Sequence, residues 1–168
     1  MTATPHKLRI DVATPADVPL ILSLIRELAD YERMADQVAA TDADVERALF
    51  GDPPCAEAVI ARVGEEAVGF ALFFQSFSTF VGRPGLYLED LYVRPAHRGR
   101  GIGRRLLAHL AGIAVERGCG RFEWSVLDWN ELAIASYRRA GAVPMDEWTV
   151  YRLTGEPLRA LAAEAAGP

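Results

Sequence analysis

Six segments of the chain carry the pattern of β-strands, in which apolar side chains recur at every second position or form short runs rich in Val, Ile and aromatic residues. The second and third segments are joined by a tight Gly-Glu-Glu turn at residues 64–66, which predicts an antiparallel hairpin. A loop is expected at residues 76–85. We predict strands at residues 8–14, 57–63, 67–75, 86–93, 121–127 and 148–153.

Between these strands, apolar residues repeat at the three- and four-residue spacing of amphipathic helices. Thr14 and Thr41 each precede such a segment and are suited to cap its first turn, and Pro15 fits a first helical position. Gly141 is placed to end the fourth helix. We predict helices at residues 15–31, 42–50, 102–117, 130–141 and 158–168.

The order of these elements predicts an α/β fold with a mixed, largely antiparallel central sheet and helices on both faces. The strand, glycine-rich turn, helix and strand at residues 86–127 form a unit whose two strands are expected to be parallel, with a right-handed connection. The chain has 168 residues, of which 51% are hydrophobic, and can therefore bury one sizeable core. We expect a single domain over residues 1–168.

Composition narrows the classes of partner. The net charge of −5 argues against nucleic acid, which needs an excess of Lys and Arg, and suits a cationic substrate. Cys55, Cys119 and the three histidines lack the spacing of a zinc site or disulfide scaffold, so no metal is expected. No apolar run approaches the roughly 18 residues of a membrane span, and the first residues lack a signal peptide's apolar region. We expect a cytoplasmic protein without a membrane partner.

The stretch LYLEDLYV places two carboxylates, Glu89 and Asp90, in the middle of an otherwise apolar strand. Because successive strand side chains point to opposite faces, Glu89 is expected on the face of Tyr87 and Leu91, and Asp90 on the face of Leu88. A buried carboxylate is costly without a partner or a function, so at least one is expected to face a cleft. From the residues alone, Glu89 is equally well explained as the partner of an arginine in the sheet.

A glycine-rich turn, RGRGIG at residues 98–103, follows this strand. Backbone N–H groups freed by closely spaced glycines, together with the positive end of the next helix, form an anion cradle that suits a pyrophosphate. The spacing is neither GxGxxG nor GxxxxGK[ST], which disfavours a dinucleotide or ATP site. Glycines that serve only a tight turn are the alternative.

The segment VRPAHRGRGIGRRLL resembles the acetyl-CoA signature of the GNAT superfamily of N-acetyltransferases, whose core RxxGxG/A is matched by Arg98, Gly101 and Gly103. The stretches IRELADYERMADQV, LYLEDLYV and LDWN extend the resemblance over essentially the whole chain, to the diamine (spermidine/spermine) acetyltransferases and their thialysine-acetylating relatives. The resemblance implies the GNAT acetyltransferase fold and acetyl-CoA as cosubstrate. The resemblance also implies a homodimer, for which it is the only ground.

The resemblance also implies which residues hold acetyl-CoA. Backbone groups of Leu91 and Val93 would bind the pantetheine arm, the glycine-rich turn would hold the pyrophosphate, and a later segment would line the cofactor. The implied contacts are Leu91, Tyr92, Val93, Arg98, Gly99, Arg100, Gly101, Ile102, Gly103, Arg104, Asn130, Glu131, Leu132 and Ala133.

Two catalytic residues are implied, an acid at the amine (Glu89) and a tyrosine facing the sulfur (Tyr137). An alkylammonium with a pKa near 10 cannot attack a thioester until it loses a proton, which Glu89 can accept directly or through water. Tyr137 can protonate the leaving thiolate, and a backbone N–H at residues 91–93 can stabilise the oxyanion. Tyr137 is otherwise a core tyrosine. The implied substrate-lining residues are Tyr31, Glu32, Phe80, Glu89, Glu123, Trp124 and Ser125.

Two residues have other interpretations. Asp90 is either structural or a contact to the substrate cation from a neighbouring chain. Cys119 as an acyl-carrying nucleophile lacks a histidine in suitable context, so direct transfer is expected.

The sequence therefore predicts an N-acetyltransferase that moves an acetyl group from acetyl-CoA to a primary amine of a small cationic substrate, such as a short diamine, a polyamine or a thialysine- or lysine-like amine. Ser78 and Phe80 replace an acid and a tryptophan of the polyamine enzymes, so a short acceptor is expected over spermine. Alternatives are a protein N-terminal or amino-acid acetyltransferase and a non-catalytic acyl-CoA-binding module. Such a module would need neither Glu89 nor Tyr137.

Overall fold

The computed structural model describes residues 7–165 and contains one five-stranded sheet. Its strands are β1 (Leu8–Val12), β2 (Glu57–Val63), β3 (Glu66–Ser78), β4 (Arg83–Val93) and β5 (Arg121–Trp124). They lie in the order β1-β2-β3-β4-β5, and the neighbours are antiparallel except for β4 and β5, which are parallel. The predicted mixed, largely antiparallel sheet is confirmed.

Five α-helices accompany the sheet in this part of the chain: α1 (Val18–Tyr31), α2 (Asp42–Phe50), α3 (Ile102–Glu116), α4 (Glu131–Arg139) and α5 (Gly155–Glu164). Thr41 caps α2 as predicted, since its hydroxyl oxygen accepts from Asp44 N–H (3.3 Å) and its own N–H donates to the Asp44 carboxylate (3.0 Å). Thr14 N–H donates to the Asp17 carboxylate (2.9 Å) across a short 3-10 turn, and α1 begins after this turn, at Val18. The end of the predicted tail helix, residues 166–168, lies outside the described residues.

Helices cover both faces of the sheet, as predicted. On one face α1 and α2 pack in a buried apolar cluster with Ile60, Phe70 and Tyr92, and we call this the α1 face. On the opposite face, the α3 face, helix α3 lies so close to β4 that a Cβ at Gly103 would be 3.7 Å from Leu91.

A β-bulge interrupts β4 at its acidic pair. In the register of β3 with β4, Leu72 pairs with Asp90, but the next pair joins Phe73 to Leu88. Glu89 is therefore the extra residue of the bulge. Such an insertion disrupts the alternation of side chains along the strand.

The bulge places both carboxylates on the α1 face. Asp90 lies opposite Leu72, which packs against the cluster under α1. Tyr87 stacks on Phe74, which shares the face of Leu72 on β3, and Glu89 shares the face of Tyr87 two residues earlier. The prediction that Glu89 and Asp90 point to opposite faces is wrong, because strict alternation does not hold across the bulge.

Several other predicted elements also differ from the structure. The loop expected at residues 76–85 is much shorter, because β3 continues to Ser78 and β4 begins at Arg83. β5 ends at Trp124 rather than at residue 127. Residues 148–153 form no strand and are exposed. β-propensity expresses itself when a strand finds neighbours to pack against, and this segment has no paired strand within residues 7–165.

The chain forms two compact units that divide between Glu131 and Leu132. The first contains the sheet with α1, α2 and α3, and the second contains α5 and nearly all of α4. The single domain over residues 1–168 stays a prediction. Among residues 7–165, no helix has the length and apolar character needed to cross a membrane.

Candidate active site

The turn between β4 and α3 presents backbone N–H groups at the start of a helix. Gly99 and Gly101 adopt φ angles of +76° and +75°, which favour glycine, and a Cβ at either position would meet no atom within 4 Å. Arg105 N–H donates to the Gly101 carbonyl (3.0 Å), so the amides of residues 102–104 precede the helical ladder. Open space, free amides and the helix dipole together suit a phosphate group.

The adjoining end of β4 has an unpaired edge. β5 pairs with β4 only as far as Leu88 and Trp124, and no other strand within residues 7–165 continues the ladder on that side. Leu91 and Val93 are paired with β3 on their other side. An extended, amide-containing chain such as a pantetheine arm can hydrogen-bond to an edge of this kind.

Arg98 points from the turn toward the α1 face. Its Nε donates to the Val93 carbonyl (2.8 Å), and its guanidinium carbon lies 4.2 Å from the Tyr31 ring centroid and 5.5 Å from that of Tyr92. Tyr31 also contacts Trp129, with ring centroids 5.8 Å apart. The side chain of a predicted cofactor residue thus contacts a predicted substrate residue.

Three carboxylates meet on the α1 face beside this aromatic group. Burial, followed by the charges of Glu89 and Glu32, raises the pKa of Asp90 to about 6. Burial also raises the pKa of Glu32, which caps the end of α1. Glu89 is exposed, and none of the three is ion-paired with a basic side chain in the described part of the chain. Uncompensated negative charge next to aromatic rings suits an ammonium group.

The raised pKa of Asp90 makes a prediction about stability. Because the folded pKa is about 6 against an ordinary 3.8, the free energy of unfolding falls as pH rises through this interval. Asp90→Asn should therefore raise the free energy of unfolding by about 1 to 3 kcal/mol near pH 7.5 and change it little near pH 4. Denaturant unfolding at both pH values measures the effect. Asp30→Asn, at an exposed site on α1, is the control. Equal stabilisation by Asp90→Asn at both pH values would contradict the interpretation.

A pair of rings lines the sheet next to the carboxylates. Tyr87 stacks on Phe74, with centroids 5.1 Å apart, and its hydroxyl lies 2.9 Å from Ser125 Oγ. The predicted substrate residue Ser125 therefore shares the α1 face with Tyr87.

The other predicted residues of β5 have partners of their own. Arg121 Nε lies 2.7 Å from Glu123 Oε2, and Trp124 packs against Phe122 with ring centroids 4.9 Å apart. Phe80 lies in the turn between β3 and β4 and is 93% exposed. Glu89 and Asp90 lie several residues further along β4. The role of Phe80 in substrate binding stays a prediction.

The remaining predicted residues lie around α4. Asn130 and Glu131 form its start, and their N–H groups donate to Leu127 and Trp129 (both 2.9 Å). Leu132, Ala133 and Tyr137 lie on α4 in the second compact unit, where Tyr137 is half-buried. Their cofactor and catalytic roles stay predictions, as do the phosphate contacts of the exposed Arg100 and Arg104 and of Ile102 and Gly103.

Sequence reasoning missed several residues of this site. Phe74, Tyr87 and Trp129 carry no role in the predictions from the sequence. Trp129 lies in the quoted LDWN stretch, so its signal was present. Tyr87 meets Ser125 through the parallel pairing of β4 with β5, which a single sequence does not reveal.

Comparisons with known proteins agree on one family. The model of the acetyltransferase (GNAT) family matches residues 21–142. The chain is 37% identical to thialysine N-epsilon-acetyltransferase from Bos taurus, over 90% of this chain and 95% of that protein. It is 36% identical to spermidine/spermine N(1)-acetyltransferase-like protein 1 from Homo sapiens, over 90% of this chain and 23% of that protein.

A solved structure supports the fold assignment. An integron cassette protein from V. cholerae superposes with a TM-score of 0.77 at 28% identity, covering 92% of this chain and 97% of that one. The family model matches most of the chain, and the glycine-rich turn and the unpaired edge of β4 agree with it. The chain therefore belongs to the GNAT family of acetyltransferases.

Proposed function

We propose that the protein transfers an acetyl group from acetyl-CoA directly to a primary amine of a small cationic substrate. The observation that carries this proposal is the cluster of Glu32, Glu89 and Asp90 on the α1 face, in a chain that also has a glycine-rich turn at residues 98–103 and an unpaired edge of β4. The cluster offers negative charge to an ammonium group, and the turn offers N–H groups to a phosphate.

Two neighbouring features of the chain are proposed to hold one molecule of acetyl-CoA. The turn at residues 99–104 would hold the pyrophosphate, and the edge at Leu91 and Val93 would hold the pantetheine arm. Bound there, acetyl-CoA supplies the thioester that is the acetyl donor.

Glu89 is proposed to accept the proton that the ammonium must lose, directly or through a water molecule. Its exposure leaves it accessible to both. Asp90 faces the same side through the bulge and has a pKa near the physiological range, which makes it a second candidate for the proton or for holding the substrate cation. Tyr137 is proposed to protonate the departing thiolate.

A panel of amines tests the function, with thiol release from acetyl-CoA as the readout. The panel contains short diamines, spermidine, spermine, lysine, ornithine, thialysine and an N-terminal peptide. We expect a short diamine or a lysine-like amine to give the highest kcat/KM, because Ser78 and Phe80 supply no distal carboxylate. Spermine or the peptide as best acceptor would contradict the proposed substrate. If no amine of the panel produced thiol release, the proposed activity would be contradicted.

The protein is also proposed to act as a homodimer. In the described part of the second compact unit, nine large apolar side chains are exposed, and exposed apolar surface of this kind suits a protein–protein contact. A second copy of the chain would cover them, and molar mass in solution, measured by light scattering, tests this. The exposed side chains are Leu132, Val143, Met145, Trp148, Val150, Tyr151, Leu153, Leu158 and Leu161.

A further inference from the structure

An ion pair on β5 lies on the same face as the three carboxylates. Arg121 Nε and Glu123 Oε2 are 2.7 Å apart, and both side chains are about two-fifths exposed, at 41% and 36%. Being two residues apart on a strand, they project from one face. They therefore offer a ligand one positive and one negative group side by side.

The pairing of β5 with β4 fixes which face this is. Tyr87 lies beside Glu123 in the parallel register, and its hydroxyl reaches Ser125 Oγ at 2.9 Å. Ser125 thus projects on the side of Tyr87, and Glu123 and Arg121 follow it at two-residue steps. The ion pair and the acidic cluster lie on the α1 face.

The separation between Glu89 in the acidic cluster and Glu123 in the ion pair matches the length of a small acceptor. Glu89 lies two residues beyond Tyr87 on β4, and Glu123 lies one strand to the side, so the two backbones are about 8 Å apart. An extended lysine side chain spans a similar distance. The stacked rings of Tyr87 and Phe74 line the sheet along this path and suit its methylene groups.

The charges of the pair distinguish an amino acid from a diamine. The acidic cluster attracts any ammonium, but Arg121 attracts an anion and would repel the distal ammonium of a diamine. An α-amino acid carries an ammonium and a carboxylate on one carbon, which complement Glu123 and Arg121 respectively. Arginine binds carboxylates well because its planar guanidinium can donate two parallel hydrogen bonds.

We propose that Arg121 and Glu123 form a subsite that binds the α-carboxylate and α-ammonium of an amino acid whose side-chain amine is acetylated at the acidic cluster. This inference rests on the proposed function and assigns Arg121 a role in acceptor choice.

Two acceptors that differ only in the carboxylate test the subsite, namely lysine and its decarboxylated counterpart cadaverine. The parent protein should have the lower KM for lysine. Arg121→Gln should raise KM for lysine by at least about tenfold and leave KM for cadaverine unchanged or lower, because only lysine loses a charge-assisted bond. The same variant should leave KM for acetyl-CoA unchanged.

The matched control is Arg117→Gln. Arg117 at the end of α3 forms a similar half-exposed ion pair with Glu57 (2.6 Å) on β2, and neither residue belongs to the site. This variant should have the KM values of the parent for both amines. Glu123→Gln should in turn affect lysine more than Nα-acetyllysine, which lacks the α-ammonium.

Equal changes in KM for lysine and cadaverine in Arg121→Gln, or no change, would overturn the subsite while leaving the acetyltransferase function standing. A parent protein that acetylates cadaverine but not lysine would do the same. If no amine supported thiol release, the proposed function and this inference would both be overturned.

Discussion

Replacing Glu89 with glutamine should lower the turnover number by about 10- to 10⁴-fold, while acetyl-CoA binding stays nearly unchanged. The amide keeps the shape of the carboxylate but cannot accept a proton. Glu89 is the extra residue of the bulge, is exposed, and makes no ion pair within residues 7–165, so the fold should survive the change. Initial rates and a thermal shift with acetyl-CoA measure the two properties separately.

The pH profile identifies the role of Glu89. If it takes the proton from the amine, its loss should matter most near neutral pH and least above the pKa of the amine, about 10, where much of the substrate is already neutral. Glu46→Gln, at an exposed position on α2, is the control and should behave as the parent at every pH.

Tyr137→Phe should also lower turnover, by about 10- to 10⁴-fold, but without rescue at high pH. Tyr137 is proposed to donate its proton to the leaving thiolate. The thiolate must be protonated whether or not the amine began as an ammonium. Tyr151→Phe, at a tyrosine that is 93% exposed, is its control. Rates equal to the parent in both Glu89→Gln and Tyr137→Phe would make Glu89 a structural carboxylate and remove the basis for acid–base catalysis here.

Local signals predicted much of the fold. The Thr14 and Thr41 caps lie within a few residues of the groups that they bond, and Gly64 turns the β2–β3 hairpin at a φ of +63°. Interactions of this short range are written in adjacent residues. The same reasoning failed for residues 148–153, because a strand also needs a neighbour, which local sequence does not supply.

The bulge shows why the site was only partly predictable. Alternation assigns each strand residue to a face from its own position, but the face of Glu89 depends on how β3 pairs with β4. One extra residue brings Glu89 to the side of Asp90, and their proximity is one cause of the raised pKa of Asp90. The acidic pair was visible in the sequence, whereas its shared face was not.

Long-range pairing also decided the positions of two arginines. The glycine spacing correctly indicated a turn before a helix, but it gave no direction for Arg98, which lies over Tyr31 from the distant end of α1. Arg121 lies on the α1 face only because of the way in which β5 pairs with β4. Neither contact leaves a mark in the spacing of nearby residues.

Replacing Gly101 with valine should abolish the thermal stabilisation by acetyl-CoA. In the parent, a ligand at 100 times its Kd stabilises the folded state by about 2.7 kcal/mol. For a chain of this size, that corresponds to a rise in Tm of roughly 5 to 10 °C. A Cβ added at Gly101 would meet no atom within 4 Å, so the valine side chain would enter the region where a phosphate would approach the amides.

Backbone strain must be separated from this steric effect, because Gly101 has a φ of +75° and valine is strained there in any case. Gly118 offers the matched control, since it has a φ of +66°, a Cβ added there would also meet no atom within 4 Å, and it lies beyond the opposite end of α3. Both valine variants should lower the Tm of the unliganded protein by similar amounts. Only Gly101→Val should lose the shift with acetyl-CoA, and a full shift in that variant would place the phosphates elsewhere.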